Sequence, residues 1–111
     1  MHQSWDHLIE RKYSSRSYLF NLHIIKLTKF KSGDYNQYFG YCSDDKIVNV
    51  CYYTNNGNKF IGIGIGETEY EAEDMQKVSI TTDKELDDEI VLKILKSHYN
   101  WKIYDFFDLC E

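Results

Sequence analysis

Asn56-Gly57-Asn58-Lys59-Phe60-Ile61-Gly62-Ile63-Gly64-Ile65-Gly66-Glu67-Thr68-Glu69-Tyr70-Glu71-Ala72-Glu73 decides how the chain is read. Asn56-Gly57 supplies the two φ > 0 residues of a tight hairpin. Phe60, Ile61, Ile63 and Ile65 are strand formers, flanked before the turn by a second strand, residues 46–54. Side chains alternate along a strand, so Gly62, Gly64 and Gly66 share one face. A face stripped of side chains admits close packing, and a helix is the usual occupant. Thr68 and Glu71 stand at capping-box spacing, each side chain satisfying an orphan N–H at the other's end. The sequence therefore reads turn, strand, cap, helix.

Outward from that stretch, Tyr35 to Cys42 is aromatic and strand-prone, and Ser43-Asp44-Asp45 turns the chain into residues 46–54. Lys31-Ser32-Gly33-Asp34 is an earlier turn. Phe20, His23, Ile24 and Leu27 make a helical stripe, while Leu22, Ile24, Thr28 and Phe30 would suit a strand; a helix over 17–29 is the reading adopted. Trp5, Leu8 and Ile9 give a helical pattern in residues 4–12. The helix from Thr68 is expected to run to about Ser79, with Ala72, Met75 and Ile80 on its inner face. Thr82 and Glu85 form a second capping box, which predicts a new helix near Asp83 carrying Leu86, Ile90, Ile94 and Leu95. Tyr99-Asn100-Trp101 reads as a turn, and residues 102–109 as helix or strand.

The stretch 56–73 resembles the last hairpin and second helix of the double-stranded-RNA-binding domain. That family writes N-G-x-x-x-x-G-x-G-x-G-x-S/T-K-K-x-A-E, matched here at Asn56, Gly57, Gly62, Gly64, Gly66, Thr68, Ala72 and Glu73. The resemblance implies an α+β fold of order α-β-β-β-α, a three-stranded antiparallel sheet with its helices on one face. It covers residues 17–81, with a helical segment before it (1–16) and a C-terminal helical extension packed on the same domain (82–111). It also implies binding of duplex RNA by shape and phosphate contacts. The family's phosphate-gripping lysine pair is replaced by Glu69 and Tyr70, and Ser43-Asp44-Asp45 lacks the Gly-Pro-x-His of the minor-groove loop. Gln76-Lys77 stands where the family favours small residues.

Composition narrows the alternatives. The 111 residues are 42% hydrophobic and 16% aromatic, enough for one packed domain. No apolar run approaches the ~18 residues of a membrane span and no leader is evident, so a soluble intracellular protein without membrane contact is expected. Cys42, Cys51 and Cys110 lack metal-ligand spacing and read as free thiols of a reducing compartment. His2, His7, His23 and His98 are scattered, so no metal is expected. Ala72 is the sole alanine and proline is absent. The bias toward Lys, Ile, Tyr and Asn suits an A/T-rich genome, viral among others, and marks Ala72 as a position where nothing larger fits.

The net charge is −5, with basic residues concentrated in the first 66 positions and acids after them. Nucleic-acid contact would therefore use the N-terminal half, and Arg16, Lys26, Lys29, Lys31 and Lys59 are the candidate RNA contacts. Gly62, Gly64, Gly66 and Ala72 are candidate packing residues, and Thr68 and Glu71 the cap. The glycines lack the spacing of a dinucleotide loop and the Gly-Lys-Ser/Thr of a P-loop. Neither a paired-acid nor a nucleophile–base constellation can be assembled, so no catalytic residue, cofactor or small-molecule substrate is assigned. Half of Tyr35, Tyr38, Phe39, Tyr41, Tyr52 and Tyr53 must be core, and the rest would form an aromatic patch. Three functions follow as expectations: a weak duplex-RNA-binding module, a module for homodimerisation or protein docking that has lost RNA, and an acidic viral inhibitor of a basic host protein.

Overall fold

Strand alternation begins at residue 23, twelve positions before the first strand expected from the sequence. The computed structural model describes residues 17–32 and 35–108. A 3-10 turn at Ser17–Leu19 leads into β1 (His23–Ser32), then β2 (Tyr35–Cys42), β3 (Ile47–Asn55) and β4 (Asn58–Gly66). A one-turn helix α1 (Glu69–Ala72) precedes β5 (Gln76–Ile80), after which α2 (Asp88–Ser97) leads to β6 (Lys102–Ile103) and β7 (Phe106–Asp108). The sheet order is β5-β4-β3-β2-β1-β6, with β7 also on β1. Strands β1 to β5 are an antiparallel meander, and β6 and β7 pair parallel to β1.

This is a curled mixed sheet with few helical residues, and it overturns the expected three-stranded α-β-β-β-α fold with helices on one face. Three local corrections account for the difference. Residues 17–29 are not a helix, because Ile24 and Leu27 face the core from a strand carrying a bulge between Ile24 and Lys26. The extra residue makes two core positions three apart, which imitates a helical stripe. The expected helix to Ser79 stops at Ala72, and Gln76–Ile80 pairs with β4 instead. Glu73 and Asp74 fall at the helix C-terminus, where the macrodipole disfavours acids, and Val78, Ile80 and Thr81 prefer a strand. The helix expected near Asp83 begins at Asp88: Thr82 Oγ1 accepts from the Lys84 N–H at 3.2 Å, while Asp87 caps Ile90 N–H at 2.9 Å. The segment of residues 4–12 lies outside the described residues.

Other readings hold. Asn56 and Gly57 have φ 51° and 80°, as the two-residue hairpin requires, and Asn55 pairs with Asn58 across it. Thr68 and Glu71 complete the capping box. Asn100 turns the chain with φ 57°, and its amide donates to Asn21 Oδ1 at 2.6 Å. Of residues 102–109, Lys102–Ile103 and Phe106–Asp108 are short strands.

The two sheet faces differ. Leu27, Tyr38, Val48, Val50, Ile61, Ile63, Val78 and Ile80 form the inner face, and Ile90, Val91, Ile94 and Leu95 of α2 join them in one core. Buried Trp101 donates from Nε1 to the Leu19 carbonyl at 2.7 Å, closing the start of the described chain onto the segment after α2. The outer face carries the glycine stripe and α1.

Candidate functional site

The outer face is where the chain leaves a concavity. A side chain on Gly64 would collide with the Ala72 carbonyl, and one on Gly66 with Glu71 Cβ. On Gly62 it would meet Cys51 Sγ and Met75 Sδ at 3.1 Å each. The stripe therefore seats α1 and Met75 directly on β4, and Ala72 is fully buried there. The expectation of close packing is met by one helical turn and a loop methionine; Ile80, expected on the same side, faces the inner core.

Beside this seat, β1 and β2 run on without cover, leaving a groove of about 620 Å³. Its floor comes from Lys26, Thr28 and Phe30 of β1 and Gln37, Phe39 and Tyr41 of β2. Asn49 of β3 completes it, directly across from Gly64 in the β3–β4 register and from Phe39 in the β2–β3 register. Glu69, which begins α1, and Glu73, its C-cap one turn on, form the acidic wall. Asn49 Oδ1 is buried and, like Gln76 Oε1, has no hydrogen-bond partner among the described residues. A buried acceptor left unmade costs free energy, and in native proteins it calls for a reason. An apolar-floored concavity with a few convergent polar groups is the usual form of a binding site.

A second polar cluster lies on the inner face, where α2 begins. Asp88 accepts from Lys29 Nζ at 2.5 Å, from Tyr38 Oη at 2.5 Å and from Tyr52 Oη at 2.9 Å. Burial would raise the Asp88 carboxyl, but the bonds from Lys29, Tyr38 and Tyr52 outweigh it and hold the group below the usual carboxylate range. The Tyr38 and Tyr52 hydroxyls are pushed far up, first by burial and then by the carboxylate they donate to. Neither phenol can ionise near neutrality. The cluster ties α2 to β1, β2 and β3, and its chemistry is that of a fastening.

The sequence-expected RNA contacts are divided by the fold. Lys26 faces the outer groove, its Nζ 5.8 Å from the Phe107 ring centre. Lys29 is on the opposite face of β1, with a side chain 13% exposed against Asp88. Lys59 donates to the Thr82 carbonyl at 2.9 Å. Lys31 is exposed near the end of β1, and Arg16 lies outside the described residues. Cys42 is buried, its thiol pushed up to about 11 by burial and by Asp44, with Lys46 opposing. Cys51 is half-buried against Met75 and is raised likewise, chiefly by burial. Neither forms a disulfide, and among the described residues no group of three His, Cys, Asp or Glu could hold a metal. No helix among the described residues is long and apolar enough to cross a membrane.

Sequence reasoning missed Asn49 and Asp88. Asp88 looks like one of many surface acids, and its role depends on tyrosines 36 and 50 residues away. The signal for Asn49 is a polar residue between Val48 and Val50 on a strand, which is too common to single out. In comparisons with known proteins, no family model, curated protein or solved structure matches this chain.

Proposed function

We propose that this chain is a non-catalytic docking module whose outer-face groove receives a basic segment of a protein partner. The observation that carries this is the groove itself, an aromatic floor overhung by Glu69 and Glu73 in a chain of net charge −5. Opposite potentials steer association and select partners, and aromatic floors supply contact area. Duplex RNA is disfavoured by the same wall, since both carboxylates would face phosphates. Lys26 and Lys29 lie on opposite faces of β1 and Lys59 lies on β4, so these expected RNA contacts do not form one basic surface.

Fluorescence anisotropy with a labelled basic decapeptide, an acidic decapeptide and a duplex RNA tests the proposal. The basic peptide should bind, and both Glu69→Lys and Glu73→Lys should weaken it about tenfold, roughly 1.4 kcal/mol. Glu85→Lys makes the same charge change on an exposed loop outside the groove and should leave affinity within about twofold, because screened charges contribute little. Binding of duplex RNA without binding of the basic peptide would overturn the reading.

A further inference from the structure

We infer that the open half of the outer face is closed by the chain's own N-terminal segment, residues 4–13, laid along the groove. Resting on the docking reading, that segment then competes in cis with the basic partner. A sheet buries each apolar face against another element. The inner face has α2, and on the outer face α1 seats on the glycines of β4. Among the described residues no other helix packs on that outer face. Phe30, Phe39 and Tyr41 line the groove there, and Tyr41 is 48% exposed. Phe107, paired with Thr28 on the same face, carries the aromatic floor past β1 and is 51% exposed.

Sixteen residues precede Ser17, where the described chain starts. Trp5, Leu8, Ile9 and Tyr13 are spaced i, i+3, i+4 and i+8, the stripe of a helix that buries one side. An apolar stripe and an aromatic floor without a cover are complementary needs of one chain. Their lengths agree: the floor from Lys26 to Phe30 is ~13 Å of strand, and a helix over residues 4–12 is ~14 Å. The tether also starts at the right end. The Leu19 carbonyl is held by Trp101 and the Asn21 N–H by Tyr99, so the chain enters β1 at His23. Lys26 and its cross-strand partner Tyr41, at the near end of the groove, are ~10 Å further along. Residues 13–16, extended, bridge ~13 Å. A short tether holds its segment at an effective concentration of about millimolar, which favours this copy over a second chain in dilute solution. Arg11 and Lys12 follow the stripe with the sign opposite to Glu69 and Glu73, so the segment resembles the basic partner it would exclude.

NMR of the full chain tests this. Nuclear Overhauser contacts should join the Trp5 indole or the Leu8 methyls to the rings of Phe39 and Tyr41. Leu8→Ser with Ile9→Ser leaves the net charge unchanged and should erase those contacts. The basic decapeptide should then bind at least about fivefold more tightly, as expected when the wild-type groove is free about one-fifth of the time. Absence of the contacts in the wild-type chain overturns the assignment. So does their appearance only between differently labelled chains of a mixed sample, which would make the occupant a second copy. Contacts present with an affinity that the double substitution does not change overturn the competition. Contacts present in a chain that binds the decapeptide in neither form leave the cis cover standing and overturn the docking reading.

Discussion

Asn49 lies between Val48 and Val50, two fully buried core residues, and points to the opposite face of β3. Its unpartnered Oδ1 is a stability cost the isolated chain carries. Asn49→Leu removes the orphaned acceptor and should stabilise the protein by about 1 kcal/mol in urea unfolding. A loss of stability would mean that the amide is bonded in solution. Ala72 gives the reverse case: fully buried, with its carbonyl against Gly64, it has no room to grow. Ala72→Leu should cost about 1–3 kcal/mol by overpacking, and an unchanged melting temperature would remove the seat of α1. Lys29 and Lys26 should separate cleanly. Lys29→Glu sets a second carboxylate against Asp88 and should cost about 2–4 kcal/mol, somewhat under a fully buried pair because Asp88 keeps 29% exposure. Lys26→Glu should leave the melting temperature almost unchanged, since its ammonium has only the Phe107 ring as a described partner.

At the scale of elements, α2 is held by an apolar stripe and one polar fastening. Ile90, Val91, Ile94 and Leu95 bury against the sheet, and Asp88 fixes the helix start to three strands. Because the folded Asp88 carboxyl is held below its ordinary value, the unfolded chain binds its proton more readily. Its stabilisation is fully present above the unfolded carboxylate pKa of about 4 and is lost as pH falls through the lower folded value. Urea midpoints measured from pH 7 down to pH 2 should therefore fall for the wild type, and Asp88→Asn should start lower and fall less. Parallel curves would show that the fastening does not titrate with folding. Such elements differ in how far the sequence exposes them. The β3–β4 hairpin, the strand Tyr35–Cys42, the capping box and the glycine seat are readable because turn, alternation and cap are local rules. The β1 strand is not, because the one extra residue of its bulge sets core positions Ile24 and Leu27 three apart and imitates a helical stripe. Nor is the groove, which exists only once β2, β3 and α1 converge from separate parts of the chain.

For the whole molecule, the decisive feature is that the last strands return to the first. Leu27 pairs with Phe106 and His23 with Lys102, so the sheet is finished by residues almost eighty positions from their partners. Lys102 N–H donates to the Leu22 carbonyl, Tyr104 N–H to the Ile24 carbonyl and Leu27 N–H to the Asp105 carbonyl, each at 2.8–2.9 Å. Phe106 also lies against Tyr38, ring centres 5.9 Å apart. Ending the chain after Trp101 keeps the buried indole and its bond to Leu19 but strips β6 and β7 from β1. These three backbone bonds at about 0.5–1.5 kcal/mol each imply a loss of about 2–4 kcal/mol, before the β1–β6 and β1–β7 ladders and the Phe106 packing are counted. For a chain of this length that should lower the melting temperature by about 10–20 °C. The exposed edge of β1 would present unpaired N–H and C=O groups over ten residues, including Ile25 and Phe30, which is a template for another strand. The shortened chain should therefore shift to larger, concentration-dependent species in size-exclusion chromatography under conditions where the full chain elutes unchanged. A truncated chain that melts like the full one and does not self-associate would mean that β1 is not closed by the C-terminal strands.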